Sequence, residues 1–156
     1  MYYGPAVATL RTISVQGNRL EAELSPATPE PPKGLIDPAL LDGAFQSIAA
    51  FPLAAGISPS EFAERGPYLG FAIGEARLYH SIQGNCRAFV ELRSPIDSNQ
   101  PSVRCDITIV DARGRVCLEL INFCAKQAER PTQNKLFGIG WQPFVHDQQR
   151  SWPHAV

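Results

Sequence analysis

The chain has no surplus of charge of either sign. Its 14 Lys and Arg face 15 Asp and Glu, a formal net charge of −1 at pH 7. No basic stripe is therefore available to neutralise phosphates, which argues against nucleic acid as a partner. Long apolar runs are also missing. None approaches the roughly 20 residues that a membrane span needs, so no membrane partner is expected. The opening Met1-Tyr2-Tyr3-Gly4-Pro5 has neither a charged stretch nor an apolar one, and it does not read as a signal peptide. Cysteine is scarce, with residues at 86, 105, 117 and 124 and no Cys-x-x-Cys pair. Each lies in an apolar, strand-like run, which reads as small buried hydrophobes in a reducing compartment. A cytoplasmic location is expected. The only histidines, His80, His146 and His154, are scattered. They form no constellation that suggests a metal site or a catalytic group.

What remains is ordinary for one globular domain: 156 residues, 44% hydrophobic and 19% charged. Residues 6–15 are rich in β-branched side chains, Gln16-Gly17-Asn18 reads as a turn, and residues 19–25 alternate polar and apolar. Together they predict a β-hairpin with one buried face. Four prolines, at 26, 29, 31 and 32, make the next stretch a stiff connector. Asp37 then serves as an N-cap before Pro38 at the first helical position. Leu40, Leu41, Ala44, Phe45, Ile48 and Ala49 recur at helical spacing, and Pro52 and Gly56 bound that helix. A short second helix is expected from Pro59 to Glu64, capped by Ser58. Strands are expected over 70–80, 86–94, 103–111 and 115–125, with Asp111-Ala112-Arg113-Gly114 as a hairpin turn. The fold class is α+β, a curved antiparallel sheet wrapped around one long helix. Such a sheet must cover its apolar face, and only one long helix is available to do it. Residues 1–127 form this unit, and the polar residues 128–156 read as a linker or terminal extension, docking through Phe137 and Trp141.

The helix carries the one chemically suggestive pair. Asp42 and Gln46 are four residues apart and share a helix face. Their neighbours Leu40, Leu41, Ala44 and Phe45 are apolar. Two readings stand side by side. Asp42 faces solvent on the polar side of an amphipathic helix, or it is a general acid whose apolar surroundings favour the protonated form. In the second reading Gln46 orients it or binds a substrate hydroxyl. Gly43, a poor helix former, allows a ligand or backbone to come close.

The run Asp37-Pro38-Ala39-Leu40-Leu41-Asp42-Gly43-Ala44-Phe45-Gln46 resembles the HPALLDAALQ signature of polyketide synthase dehydratase domains. Tyr3-Gly4-Pro5 is similar to that family's YGP motif, and Leu69-Gly70-Phe71-Ala72-Ile73 to its LPFxW motif. Asp111 to Val116 resembles its D-x-x-G-R-V hairpin. Residues 136–144, with Trp141, look like the linker that leads to the next domain. Asp37 stands where the family has histidine, Gly70 where it has proline, Ile73 where it has tryptophan, and Val7 where it has phenylalanine. The family's first-half motif, H-x-x-x-G-x-x-x-x-P, is absent.

The resemblance implies a hotdog fold, the second of two hotdogs that lie side by side in such domains. Asp42 would be the catalytic aspartate of D-x-x-x-Q/H and Gln46 its partner. Tyr3, Pro5, Leu41, Phe45, Leu69 and Phe71 would bind substrate. The reaction would be loss of water from a β-hydroxyacyl thioester carried on the phosphopantetheine arm of an acyl carrier protein, with no other cofactor and no metal. Partners would be that carrier, the N-terminal hotdog half with the catalytic histidine, neighbouring synthase domains and a dimeric assembly. Double-bond isomerisation, pyran closure or branching are alternatives on the same half. So are a non-catalytic assembly role and, further off, a free single-hotdog thioesterase or hydratase.

Overall fold

A computed structural model describes residues 8–28, 34–66, 68–96 and 102–128. The hairpin opens it. Strand β1 (Leu10–Gln16) pairs antiparallel with β2 (Arg19–Leu24) through a turn at Gly17, whose φ of 60° is the left-handed conformation that glycine takes readily. Alternation in β2 buries Leu20, Ala22 and Leu24. β1 is mostly exposed, because it lies at the edge of the sheet. Its start at Leu10 is later than the β-branched run implies.

Helix α1 (Pro38–Ser47) follows, then the shorter α2 (Ala50–Ala54) and α3 (Pro59–Arg65). The chain goes on through β3 (Tyr68–Ala72), β4 (Glu75–Leu78), β5 (Cys86–Leu92), β6 (Ser102–Asp111) and β7 (Val116–Gln127). All pairings between named strands are antiparallel, in the order β1-β2-β5-β6-β7-β3, with β4 beside β3 along β7. α1 packs on β1 and β2, yet its Phe45 stacks on Phe123 of β7, ring centroids 4.6 Å apart. A flat sheet would not bring both to one short helix, so the sheet curls around α1. This is the expected hotdog arrangement.

Two local expectations change. Pro52 does not bound the helical region. The chain turns at Ile48–Ala49 and starts a new helix, and Pro52 sits in its first turn, where a missing N–H costs little. The strand expected over 70–80 is split between β3 and β4, with Ile73 and Gly74 as the break.

Local chemistry holds α1 in place. Asp37 is its N-cap, as expected, with Oδ1 accepting from the N–H groups of Ala39 (2.9 Å) and Leu40 (3.4 Å). Its own N–H donates to the Ile82 carbonyl at 3.0 Å, which ties the helix start to the stretch before β5. The fully buried Thr9 donates its hydroxyl to the Ala39 carbonyl at 3.0 Å. Gly43 lies directly over that threonine. A Cβ at position 43 would collide with Thr9 Oγ1 and come within 3.1 Å of Leu24 Cδ2.

All four cysteines are free and buried, as expected, on β5, β6 and β7. Burial pushes the Cys86 and Cys105 thiols up to about 12, so both stay protonated at neutral pH. Among the described residues, no helix is long and apolar enough to cross a membrane.

β7 carries a bulge. Cys105 pairs with Phe123 but Ile107 with Leu120, so β7 holds one extra residue there. Asn122 sits in it with φ 56°, the one positive-φ residue other than glycine among those described. Asp106 Oδ1 accepts from the Asn122 N–H at 2.7 Å and from Arg93 Nε at 2.8 Å, and Arg104 donates to Asn122 Oδ1 at 3.1 Å. Gly74 meets the same bulge from β4's side, its N–H donating to the carbonyls of Ile121 (3.1 Å) and Asn122 (3.3 Å).

Two outcomes are expected. Gly43→Ala should cost about 1–3 kcal/mol in urea unfolding, and Thr9→Ala in the same chain should recover part of that loss. Strict additivity of the two changes would show that the contact carries no energy. Asp106 gives a pH effect. Partial burial opposes its charge, but the Arg93 guanidinium and the Asn122 N–H outweigh this and hold its carboxyl below the usual range. A depressed folded value means that its stabilisation is complete above about pH 3.9 and is lost as pH falls through the folded value. Thermal unfolding of Asp106→Asn should therefore show a lower midpoint than the parent at pH 7, with the gap closing below about pH 4.

Candidate active site

The core-facing stripe of α1 is Leu40, Gly43, Ala44 and Ser47. Asp42, Phe45 and Gln46 fall on the next stripe round, each half-buried. Gln46 Nε2 donates to Asp42 Oδ2 at 2.6 Å, one helical turn apart. Asp42 is thus neither sealed in the core nor splayed into water. Among the described residues no Lys or Arg pairs with it. The Gln46 amide engages Oδ2 of Asp42 rather than Oδ1. No metal-binding cluster of His, Cys, Asp or Glu occurs among the described residues.

Apolar groups border this pair. Leu41 and Phe45 pack against the core from its rim. The Phe45 ring lies nearly parallel to that of Phe123, at an interplanar angle of 13°. Phe123 is only 2% exposed and reaches β3 with its Cζ edge, from which a Cβ at Gly70 would lie 3.2 Å away. The alternation of β3 then turns its neighbours away from α1. Leu69 and Phe71 are 51% and 66% exposed, and Lys126 Nζ lies 4.1 Å from the Phe71 ring centre. Asp42, Gln46, Leu41 and Phe45 are therefore together on one helix, and Leu69 and Phe71 lie on the opposite face of β3. Tyr3 and Pro5 lie outside the described residues, as do Phe137 and Trp141.

Sequence reasoning overlooked Phe123, Asn122 and Thr9. Phe123 looks like any core residue of an apolar strand, and nothing local marks its stacking partner. Asn122 did leave a signal, a polar residue interrupting the otherwise apolar run Leu120–Ala125. His80-Ser81-Ile82-Gln83-Gly84 repeats the first half of the histidine motif, but position 89 is Phe where the motif has proline. The His80 side chain is exposed just past β4, and the backbone N–H of His80 donates to the Cys117 carbonyl at 3.2 Å.

Comparison with known proteins identifies the fold and the family. No curated protein matches the chain. Among solved structures it is similar to the dehydratase domain of RzxB from Pseudomonas fluorescens, with a TM-score of 0.64 and 21% identity, covering 80% of this chain and 42% of that one. It is also similar to a bifunctional dehydratase-cyclase domain in ambruticin biosynthesis, with a TM-score of 0.65 and 27% identity over 81% and 43% of the two chains. A trans-acyltransferase polyketide synthase enoyl-isomerase gives a TM-score of 0.60 and 16% identity over 80% and 47%. The chain thus spans less than half the length of each. A family profile described as "Polyketide synthase dehydratase N-terminal domain" matches residues 1–135. With a match over most of its length, the chain belongs to the polyketide synthase dehydratase family.

Proposed function

We propose that this chain is the C-terminal hotdog half of a dehydratase domain and supplies Asp42 as the general acid for water loss from a β-hydroxyacyl thioester on an acyl carrier protein. The observation that carries the reading is the Gln46–Asp42 hydrogen bond, 2.6 Å long, on the half-buried face of α1. The profile's description names an N-terminal domain. The assignment to the second half rests instead on the D-x-x-x-Q spacing of Asp42 and Gln46 and on the lack of a complete histidine motif in this chain.

In the proposed mechanism a base from the other half removes the α-proton of the thioester. The electron pair of that C–H bond becomes the Cα–Cβ double bond, and the Cβ–O bond breaks. Hydroxide is a poor leaving group, so Asp42 Oδ1 protonates the departing oxygen and water leaves. Asp42 ends as a carboxylate and the base ends protonated. Proton exchange with solvent resets both. Gln46 holds Oδ2, so the proton is presented from Oδ1 alone. Leu41 and Phe45 form the apolar side of the acyl site. The substrate hangs from phosphopantetheine, and no other cofactor takes part.

The outer edge formed by β3 and β4 supports a partner on that side. Leu69, Phe71, Ile73, Leu78 and Tyr79 are exposed along or beside it, and no described strand pairs with it. An open edge with apolar side chains favours association. The histidine-bearing half is the proposed occupant. Cyclase and isomerase neighbours share this fold, so the fold does not choose the reaction. The intact Asp42–Gln46 pair favours dehydration over isomerisation.

In the domain with both halves present, Asp42→Asn should slow dehydration on the order of 10²-fold or more while folding persists. Gln46→Ala should cost less, and Gln46→His less still. Rates on one carrier-bound substrate, with circular dichroism of each variant, check this. Near-parental activity of Asp42→Asn would remove the acid from Asp42. The 156-residue chain alone should give no enoyl product in a single-turnover assay, because among the described residues no hydrogen bond or ion pair joins a histidine to Asp42. A clear yield would make His80 the first residue to replace.

A further inference from the structure

The proposed acid has a wall beside it whose position is set from another strand. Phe45 is one turn along α1 from Asp42 and adjacent to Gln46, and its ring is half-buried. Behind it lies Phe123, a buried ring stacked at 4.6 Å. Against the Cζ–Cε2 edge of Phe123 lies the bare backbone of Gly70, where a Cβ would come within 3.2 Å of Cζ and 3.4 Å of Cε2. Phe45 therefore has little room to recede: an aromatic ring fills the space between α1 and β3. Phe123 owes its direction to the residue before it. Asn122, at φ 56°, is the extra residue that shifts β7's register against β6. Side chains alternate along a strand, and an inserted residue re-aims the ones that follow. Asp106, Arg93 and Arg104 hold Asn122 there through the hydrogen bonds described above. Non-glycine residues seldom adopt that conformation, although asparagine does so most readily.

We infer that the Phe45–Phe123 stack, aimed by the Asn122 bulge and seated on Gly70, sets how wide an acyl tail passes beside Asp42. This rests on the reading of Asp42 as the acid of an acyl site. Phe123 and Asn122 touch no substrate in this account. They are positioning residues that act through Phe45.

The test compares two tails in the domain with both halves, carrier-bound β-hydroxybutyryl and its γ-branched analogue β-hydroxy-γ-methylvaleryl. Phe123→Leu lets Phe45 recede, so the branched-to-unbranched ratio of kcat/KM should rise roughly tenfold, the discrimination typical of a methylene or two in an apolar pocket. Gly70→Ala pushes the Phe123 ring toward Phe45 and removes no core atom, so the ratio should fall. Asn122→Val, which disfavours the left-handed backbone, should shift the ratio, whereas Asn122→Gly should keep it. Saturated butyryl- and γ-methylvaleryl-pantetheine amides, which cannot lose water, supply a binding ratio for the same variants. Equal changes on both tails in both assays would overturn the inference and leave only a packing role. Dehydration by the parent with neither ratio moved would do the same and leave the proposed function standing. Amide ratios that move as stated, without dehydration by the parent, would uphold the inference and sink the dehydratase reading. If Phe123→Leu does not fold, the sign of the Gly70→Ala shift decides.

Discussion

The contact on which the site depends is a close approach between a helix and the strand pair beneath it. Gly43 offers no side chain, so the backbone of α1 settles onto Thr9 and Leu24, and the Thr9 hydroxyl takes up the Ala39 carbonyl from below. That contact fixes both the height and the rotation of the helix. With Gly43 and Ala44 turned down, Asp42 and Gln46 are carried to the rim, half-buried. A bulkier residue at 43 would lift or roll the helix and move the carboxyl with it. The N-cap acts in the same sense, since Asp37 joins the first turn to Ile82 across a parallel bridge. Packing of the hydrophobic stripe supplies stability. The glycine–threonine contact supplies orientation, which a stripe of leucines alone would leave loose.

A second constraint acts from the far side of the sheet. Long antiparallel strands twist smoothly, and a smooth β7 would place its side chains in strict alternation. The bulge breaks that alternation at Asn122 and is stabilised by charge-assisted hydrogen bonds to Asp106. β3 makes its own adjustment opposite: Gly70 pairs with Ala125 and Ala72 with Cys124, so Phe71 is the unmatched residue. Two irregularities facing one another let the edge follow the curl of the sheet while Phe123 points inward.

Much of this was legible in the residue order. Alternation over 103–111 and the Asp111–Gly114 turn correspond to β6 and the β6–β7 hairpin, because a half-buried strand writes its burial pattern with period two. Asp37-Pro38 marked the start of α1 correctly, since the cap and the fixed proline φ are local effects. The D-x-x-x-Q spacing implied the Asp42–Gln46 bond for the same reason. Non-local features were not legible. Nothing near Phe123 says that it meets Phe45, 78 residues earlier by their numbers, and nothing near Gly43 names Thr9. The break at Ile73 and Gly74 escaped because a bulge is a property of two paired strands, whereas periodicity reads one. Leu69 and Phe71 were grouped with the acid by motif, and their placement shows why motif order does not give the face of a strand.

The buried cysteines have a consequence for how opening of this fold can be followed. Cys86, Cys105, Cys117 and Cys124 sit on β5, β6 and β7 and are each less than 5% exposed. A thiol reagent can reach them only when the sheet parts, and the elevated Cys86 and Cys105 values suppress reaction of those two further while it is closed. Cys86 on β5 lies two strands in from the β1 edge, whereas Cys124 on β7 lies one strand in from the β3 edge, opposite Ala72. The order in which the four become alkylated is thus an intrinsic record of which strands separate first, written in the protein's own side chains and needing no added label.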